Sequence, residues 1–575
     1  MSQFTIKFNR KNRESSIAKQ SGQNDNVKFK IELIPFAIII LFLVTRFLGL
    51  GHIYHQDEYR WASIADPFFG HLLSPHPPLA EFSYKIAGHI LGFDYLRTAP
   101  FLFSILSLAL IYAISLKTAQ NKKVAMIAMG IFTVNIYSLI ANLQIDIDGA
   151  FLPFFILLAY YSFLQILEKG QNGKWWFILF GLAIIGGLLT KLSFLLFIGA
   201  LIIDQALRFY NLNDGGGIKK VFYRLWPWLA GFSGIIAGFY YFYVINSKIV
   251  IEYASHFNSL NFGSRAYFDL AFKVFKSFVW LSPLLALSVF YGLFKKDTFN
   301  RYRIWFIYLF LNLVFYLVMF DFTTLTIERY FMFWIMPSVL IGAQVISDIF
   351  KNISIPKKTY IIVGIAFVLM LLLILLVPHD VIPLNPKTAY VDRVKLLDFS
   401  FLIPFTGGSG PSGFYFSAWY IILSWSIAII SLIVAVYGKK IKSLCLAIFI
   451  VFGVGYNILF SAEYLFGSIY GSVDRIAKET IEYVNSDRTI AGVITYYDIG
   501  AYYLHLSGKY DSRFYTAPKR NYVPKIEGYR GHYMIVDFPA IDKDGRYWPL
   551  ISRCPLLKKF QDKKIESYIF DCTSR

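Results

Sequence analysis

The sequence predicts a polytopic α-helical membrane protein, and three observations carry that prediction. Of the 575 residues, 56% are apolar and 16% charged, whereas a soluble chain is about half apolar and a quarter charged. Mean hydropathy is +0.52. Apolar runs of spanning length recur along most of the chain, and Lys and Arg gather between alternate runs. Disorder, a collagen-like chain and a disulfide-rich secreted scaffold are excluded by the same figures. Three cysteines make neither a disulfide framework nor a four-ligand zinc site. A net charge of +20 would suggest nucleic acid in a soluble protein. Here the charges lie between apolar runs, and no nucleic-acid partner is expected.

Residues 1–30 hold seven Lys/Arg and two acids and read as a basic cytoplasmic tail. The first apolar run, Leu33 to Leu50, is too late and too long for a cleaved signal peptide, and no small-residue cleavage site follows it. Further runs lie near 97–116, 124–140, 149–167, 175–189, 192–207, 225–246, 272–294, 304–320, 330–350, 359–378, 417–437 and 444–462, for a total of thirteen. Taken alternately, the loops assigned inside (117–123, 168–174, 208–224, 295–303, 351–358, 438–443) hold nineteen Lys/Arg. The short outside loops (141–148, 190–191, 247–271, 321–329) hold four. Basic loops stay cytoplasmic, so a multi-pass protein of the cell membrane is expected, with its N-terminus inside and its C-terminus outside.

The membrane domain therefore covers 31–463. Two of its outer loops are long: 51–95, with amphipathic stretches at Ala62–Phe69 and Leu79–Leu91, and 379–416, rich in Pro and Gly. Residues 464–575 have soluble composition. Strand patterns at Thr489–Tyr497 and Tyr533–Phe538 and a helical one near Ala501–Leu506 predict a small extracytoplasmic α/β domain. No internal repeat of 20–50 residues is present.

Ionisable groups at membrane depth are costly and usually functional, and this topology puts the notable ones outside. Asp57-Glu58 closely follow the first span. A carboxylate there suits a general base acting on a hydroxyl, or a metal ligand; a solvated loop pair is the plainer reading. His76 belongs to His76-Pro77-Pro78-Leu79, a turn stiffened by two prolines. Its imidazolium suits a phosphate, and a turn histidine without a ligand is the alternative. Asp146 and Asp148 stand in Gln144-Ile145-Asp146-Ile147-Asp148, a stretch without Lys or Arg. They suit a metal, a second base or simple helix caps. Lys191 lies between two short apolar runs, where it either meets an anion or snorkels. Glu328-Arg329-Tyr330 opens the tenth span. The guanidinium suits two-pronged phosphate contacts, and an interfacial Arg–Tyr anchor is the alternative. Acids and bases from five outer loops together fit a reaction on a membrane-anchored phosphate ester.

In order, Asp57-Glu58, His76-Pro77-Pro78-Leu79, the acidic start of the fourth span, Leu189-Thr190-Lys191 and Arg329-Tyr330 followed by Pro337 resemble the GT-C fold glycosyltransferases. The likeness covers residues 31–350 and is nearest to the group of dolichyl-phosphate-mannose protein mannosyltransferases and the lipid A aminoarabinose transferase. It implies a sugar donor on a polyprenyl phosphate and inverting transfer to a lipid, glycan or protein acceptor on the outer face. It makes Asp57 the catalytic carboxylate, with Glu58 beside it, and Asp148 the second acidic site. Lys191 and Arg329, with Tyr330, match contacts to the donor phosphate. His76 falls where the aminoarabinose transferases carry Lys. Arg46 matches a family arginine and is expected to be structural. No cofactor is required by the resemblance; for a divalent metal, Asp57, Asp146 and Asp148 are the available carboxylates. The segment Ser247–Ala271 is too short for the β-trefoil of eukaryotic protein mannosyltransferases, so protein mannosylation is not implied.

Two other readings compete. An oligosaccharyltransferase-like GT-C enzyme would account for Thr326-Ile327-Glu328 and Tyr496-Tyr497-Asp498-Ile499-Gly500, although both tryptophans of that class's Trp-Trp-Asp motif are missing. A lipid or sugar transporter or flippase would place charges near the midplane and show repeated halves, neither of which is expected here.

Overall fold

The computed structural model describes residues 25–54, 58, 61–62, 77–169, 173–212, 267–319, 328–351, 353, 355–382, 388–405, 414–438, 441–486, 490–496, 514–517, 532–536, 543 and 548–571. Apolar runs without interior breakers form helices because, away from water, only a helix satisfies each backbone N–H and C=O within its own segment. In chain order these are α1 (Asp25–Gly49), α2 (Pro78–Leu91), α3 (Thr98–Ala119), α4 (Lys122–Val134), α5 (Ile136–Leu143), α6 (Phe151–Lys169), α7 (Lys174–Thr190) and α8 (Phe194–Leu212). After the expected span 225–246, which lies outside the described residues, come α9 (Tyr267–Leu281), α10 (Pro283–Leu293), α11 (Lys296–Val314), α12 (Ile335–Phe350) and α13 (Lys357–Leu376). A short α14 (Thr388–Lys395) and the hairpin β1 (Leu402–Pro404) with β2 (Tyr415–Ser417) precede α15 (Ala418–Tyr437) and α16 (Lys442–Phe466). The helix pairs α6/α7, α15/α16, α10/α12 and α3/α4 pack closely. In contrast, α13 turns Ile361, Leu369, Leu373 and Leu376 outward, as a lipid-facing helix must.

Six helical stretches among the described residues are long and apolar enough to cross a membrane, or eight if each bent pair is one span. The thirteen straight runs read from the sequence are therefore not all straight helices. The run at 124–140 is two helices, α4 and α5, bent by 68° at Asn135. The run at 272–294 is α9 and α10, bent by 108° at Ser282. Pro283 has no N–H and disfavours a helical residue before it; Ser282 accordingly sits at φ 80°.

The two bends satisfy each other. Asn135 donates from Nδ2 to the Leu281 carbonyl at 2.9 Å and to Asn457 Oδ1 at 3.1 Å. The Ile136 N–H, which the bend removes from α4's hydrogen-bond ladder, donates to the same Asn457 oxygen at 3.1 Å. The Tyr456 hydroxyl takes the Val279 carbonyl at 3.0 Å. All of these groups are buried.

Beyond α16 the chain turns on Glu463, whose buried carboxylate accepts the N–H groups of Ile469, Tyr470 and Gly471 at 2.6, 2.8 and 3.2 Å. Helix α17 (Val473–Ser486) follows, then β3 (Ile490–Tyr496), β4 (Phe514–Ala517), β5 (His532–Val536), α18 (Trp548–Ile551), β6 (Leu556–Asp562) and β7 (Ile565–Asp571). The five strands form one sheet in the order β4-β3-β5-β7-β6, parallel among the first three and antiparallel at β5/β7 and β7/β6. β3 and β5 match the two strands read from the sequence within two residues; the helix read near 501–506 lies outside the described residues. Cys554 is disulfide-bonded and Cys445 is free. Helix α17 grips the end of α1: Asp474 Oδ1 accepts the Ile53 N–H at 2.6 Å, and Lys478 Nζ donates to the Gly51 carbonyl at 2.7 Å.

The polar junction between the bends gives a stability prediction. Asn135→Ala strands the Leu281 carbonyl in a dry interior, which costs about 1–3 kcal/mol. A lower midpoint in detergent unfolding is expected, and an unchanged midpoint would contradict this account of the bends.

Candidate active site

The site is built where α5 gives way to α6. Residues 144–150 form a turn that Asp146 organises, since its Oδ1 accepts the N–H groups of Asp148 and Gly149 at 2.9 and 3.0 Å. This is the capping role open to it from the sequence. Gly149 is required there because a Cβ would lie 2.2 Å from the Ala141 carbonyl oxygen. On the other side, the Tyr84 hydroxyl of α2 donates to the Asp146 carbonyl at 2.8 Å. The turn is thus fixed from both flanks. Asp146 is 1% exposed, and its second oxygen, Oδ2, has no hydrogen-bond partner among the described residues.

Asp148 spends its carboxylate differently. Its Oδ1 accepts from Lys191 Nζ at 2.6 Å, and both side chains are about nine-tenths buried. Lys191 occupies the break between α7 and α8, in extended backbone, with its N–H on the Gly187 carbonyl. Its ammonium also stands 5.2 Å from the centre of the Tyr330 ring, and the Arg329 guanidinium stands 5.3 Å from the same ring. Tyr330 stacks in turn on Tyr316. The ring is a platform with a cation on it from each of two elements, and its face attracts both charges. Three separate parts of the chain, 146–148, 191 and 329–330, therefore meet.

Glu58 stands in a second cluster, alongside the first. It is 2% exposed and receives both ends of the Arg97 guanidinium, Nη1 to Oε1 at 2.5 Å and Nη2 to Oε2 at 2.7 Å. The Ile145 N–H also donates to Oε1 at 2.9 Å. Arg97 spreads its other hydrogen bonds over the carbonyls of His52, Ile53 and Leu143. The pair ties the segment after the C-terminal end of α1 to the start of α3 and to the Asp146 turn. Asp57 and His76 lie outside the described residues. Arg46 is buried and donates to the Phe132 and Thr133 carbonyls at 3.1 and 2.5 Å, which is a structural role.

Two residues that shape the site went unremarked in the sequence, Arg97 and Tyr84. One signal was available for Arg97: an arginine at an end of a span that the loop charges assign to the outside runs against that charge bias.

Residues 75–241 match the family model described as dolichyl-phosphate-mannose-protein mannosyltransferase. The solved structure of ArnT from Cupriavidus metallidurans in the apo state superposes with a TM-score of 0.51 at 12% identity, covering 95% of this chain and 99% of that one. The chain has the GT-C fold of that structure over nearly its whole length. The same ArnT bound to undecaprenyl phosphate superposes equally well, with a TM-score of 0.51, 13% identity and coverage of 94% and 97%. The S. cerevisiae protein O-mannosyltransferase Pmt1-Pmt2 complex bound to the sugar donor aligns over 38% of this chain and 34% of that one, at 21% identity and a TM-score of 0.30. No curated protein matches the chain.

In this GT-C site the Asp146 carboxyl is pushed up to about 7, first by burial and next by the Asp148 carboxylate; Arg329, the Gly149 N–H and Lys191 pull the other way. The sign of the pH effect follows. Below about pH 4 the group is protonated folded or unfolded. Above that, the unfolded chain releases a proton that the folded one keeps, so the folded state loses stability as pH rises, and the loss is complete above about 7. Asn keeps the acceptor that organises the turn and has no proton to lose. Asp146→Asn should therefore raise the melting temperature in detergent more at about pH 8 than at about pH 5; an equal shift at both would show that the carboxyl is not held protonated.

The buried pair is tested by removing one partner. Arg97→Met leaves Glu58 uncompensated and is expected to cost about 3–5 kcal/mol. The double variant Arg97→Met with Glu58→Gln should recover part of that loss in the same unfolding assay, and no recovery would rule out the pairing as its source.

Proposed function

We propose that the chain transfers a single sugar from a polyprenyl-phosphate donor to a lipid, glycan or protein acceptor at the outer face of the cell membrane, with inversion at the anomeric carbon. The observation that carries this reading is the meeting of Lys191, Arg329 and Tyr330 with Asp146 and Asp148 in a GT-C-fold chain. A phosphate leaving group needs cations near its developing charge, and an acceptor hydroxyl needs a carboxylate.

Lys191, Arg329 and His76 are assigned to the donor phosphate, with Tyr330 holding Lys191 and Arg329 in reach. Asp148 balances Lys191 in the absence of donor, and the incoming phosphate would take over part of that pairing. Asp57 is assigned as the base. In the step itself the acceptor oxygen bonds to the anomeric carbon from the face opposite the phosphate. The carbon–oxygen bond to phosphate breaks and its electron pair leaves with polyprenyl phosphate. The acceptor's proton passes to the carboxylate. Glu58 acts through position, since its locked pair with Arg97 holds the residue next to Asp57. No group of three His, Cys, Asp or Glu side chains among the described residues is placed to hold a metal ion.

Undecaprenyl phosphate, which the related ArnT structure holds, is the lipid carrier proposed here. Thirteen spans, an inward N-terminus and an extracytoplasmic C-terminal α/β unit complete the reading. The unequal loop charge supports that orientation.

The experiment uses the purified full chain in detergent, with a panel of undecaprenyl-phosphate monosaccharides, with and without EDTA, reading release of undecaprenyl phosphate. Release without any compartment separates transfer from transport. Lys191→Met should slow release about a hundredfold or more, and Asp57→Asn should abolish it while the protein still inserts. Activity of Asp57→Asn within a few fold of the unaltered chain removes Asp57 from its role.

A further inference from the structure

At the opposite end of the bundle from the Lys191 cluster the helices form a partly open cavity of about 450 Å³. The geometry gives its position. Helix α11 starts at this cavity with Lys296 and runs toward the segment that carries Arg329 and Tyr330, and α12 runs back from there to Asp348 at the cavity. Nineteen residues of α11, kinked at Tyr302, put the two ends at most about 28 Å apart.

Three ammonium groups line the cavity: Lys295 and Lys296 at the start of α11, and Lys442 at the start of α16. None of the three makes an ion pair or a side-chain hydrogen bond among the described residues. Lys295 lies over the Tyr291 ring at 5.0 Å. Both helix N-termini are also without a side-chain cap, so their first N–H groups add positive potential. Two acids share the lining, Asp297 and Asp348. Asp348 is engaged by Gln344 Nε2 at 2.8 Å, and Gln344 in turn accepts from Arg301. Thr298 and Tyr291 add polar groups to the lining, and Val345, Ile349, Ile353, Leu432 and Leu446 form its apolar side. In the sequence Lys439 and Lys440 immediately precede this part of the wall.

We propose that this cavity binds the phosphate headgroup of an anionic phospholipid of the inner leaflet, with Lys295, Lys296 and Lys442 as its cationic contacts. A basic pocket between the cytoplasmic ends of spanning helices suits such a headgroup, and the apolar wall suits the glycerol and first methylenes beneath it. A soluble phosphate ester would need no such wall. The inference rests on the orientation proposed above and on no catalytic step, so loss of transfer activity would leave it standing.

The test measures lipids retained by the full chain purified from mixed phosphatidylglycerol and phosphatidylcholine vesicles, read by native mass spectrometry. The unaltered chain should retain phosphatidylglycerol about tenfold over phosphatidylcholine. The triple variant Lys295→Gln, Lys296→Gln, Lys442→Gln should lose most of that preference. A control triple, Lys122→Gln, Lys123→Gln, Lys174→Gln, removes the same charge from exposed positions on the same face and should keep it. Equal preference for the two lipids, or equal loss in both triples, overturns the site. Displacement of the lipid by millimolar inorganic phosphate assigns the cavity to a soluble anion and overturns the lipid. Should the first triple fail to fold, the melting temperature of the unaltered chain decides: phosphatidylglycerol must raise it and phosphatidylcholine must not.

Discussion

One guanidinium holds the candidate-site end of this protein together. Arg97 is fully buried and reaches a carboxylate from the loop after α1, two carbonyls at the end of α1 and a carbonyl at the end of α5. A charge buried this deeply is tolerated only when paired and hydrogen-bonded on every side. The requirement works in reverse as well: the segments that supply those acceptors cannot move independently. The Asp146 turn, through Ile145 and Glu58, is one of them, so the placement of the candidate acids follows from the placement of a single arginine.

A related constraint shapes the interior. Away from water a bent helix must find partners for the backbone groups it frees. The bends at Asn135 and Ser282 meet that demand jointly, through Asn135, Asn457 and the Leu281 carbonyl. Because α5 is tilted away from α4, its end delivers the 144–150 turn to the neighbourhood of Lys191 and Tyr330. Site geometry and helix breaks are one solution to one problem of unsatisfied polar groups.

Much of this was legible in the sequence, unevenly. Apolar run length locates the helices well, because burial in lipid is a property of local composition. It does not see bends: Asn135 and Ser282 each sit inside runs whose average hydropathy is high, and the angle is set by partners far along the chain. Asp146, Asp148, Lys191, Arg329 and Tyr330 were all recognisable as polar groups in costly places. That Asp148 pairs with Lys191, and that Tyr330 lies beneath two cations, are tertiary facts with no local trace. The Glu58–Arg97 pair was hidden for the same reason, so Glu58 read as a reactive group when its oxygens are occupied. β3 and β5 were readable from their apolar, β-branched pattern, whereas the order of the sheet was not.

The clasp between α17 and the end of α1 has a temporal consequence. Ile53 meets Asp474 across 421 residues of sequence, and Gly51 meets Lys478 across 427. Early in translation the first long loop therefore emerges with its anchor still unmade. Only when the ribosome has delivered the far end of the polypeptide does that loop gain its last restraint, so a truncated, partly synthesised chain would be left with its first loop untethered on this side.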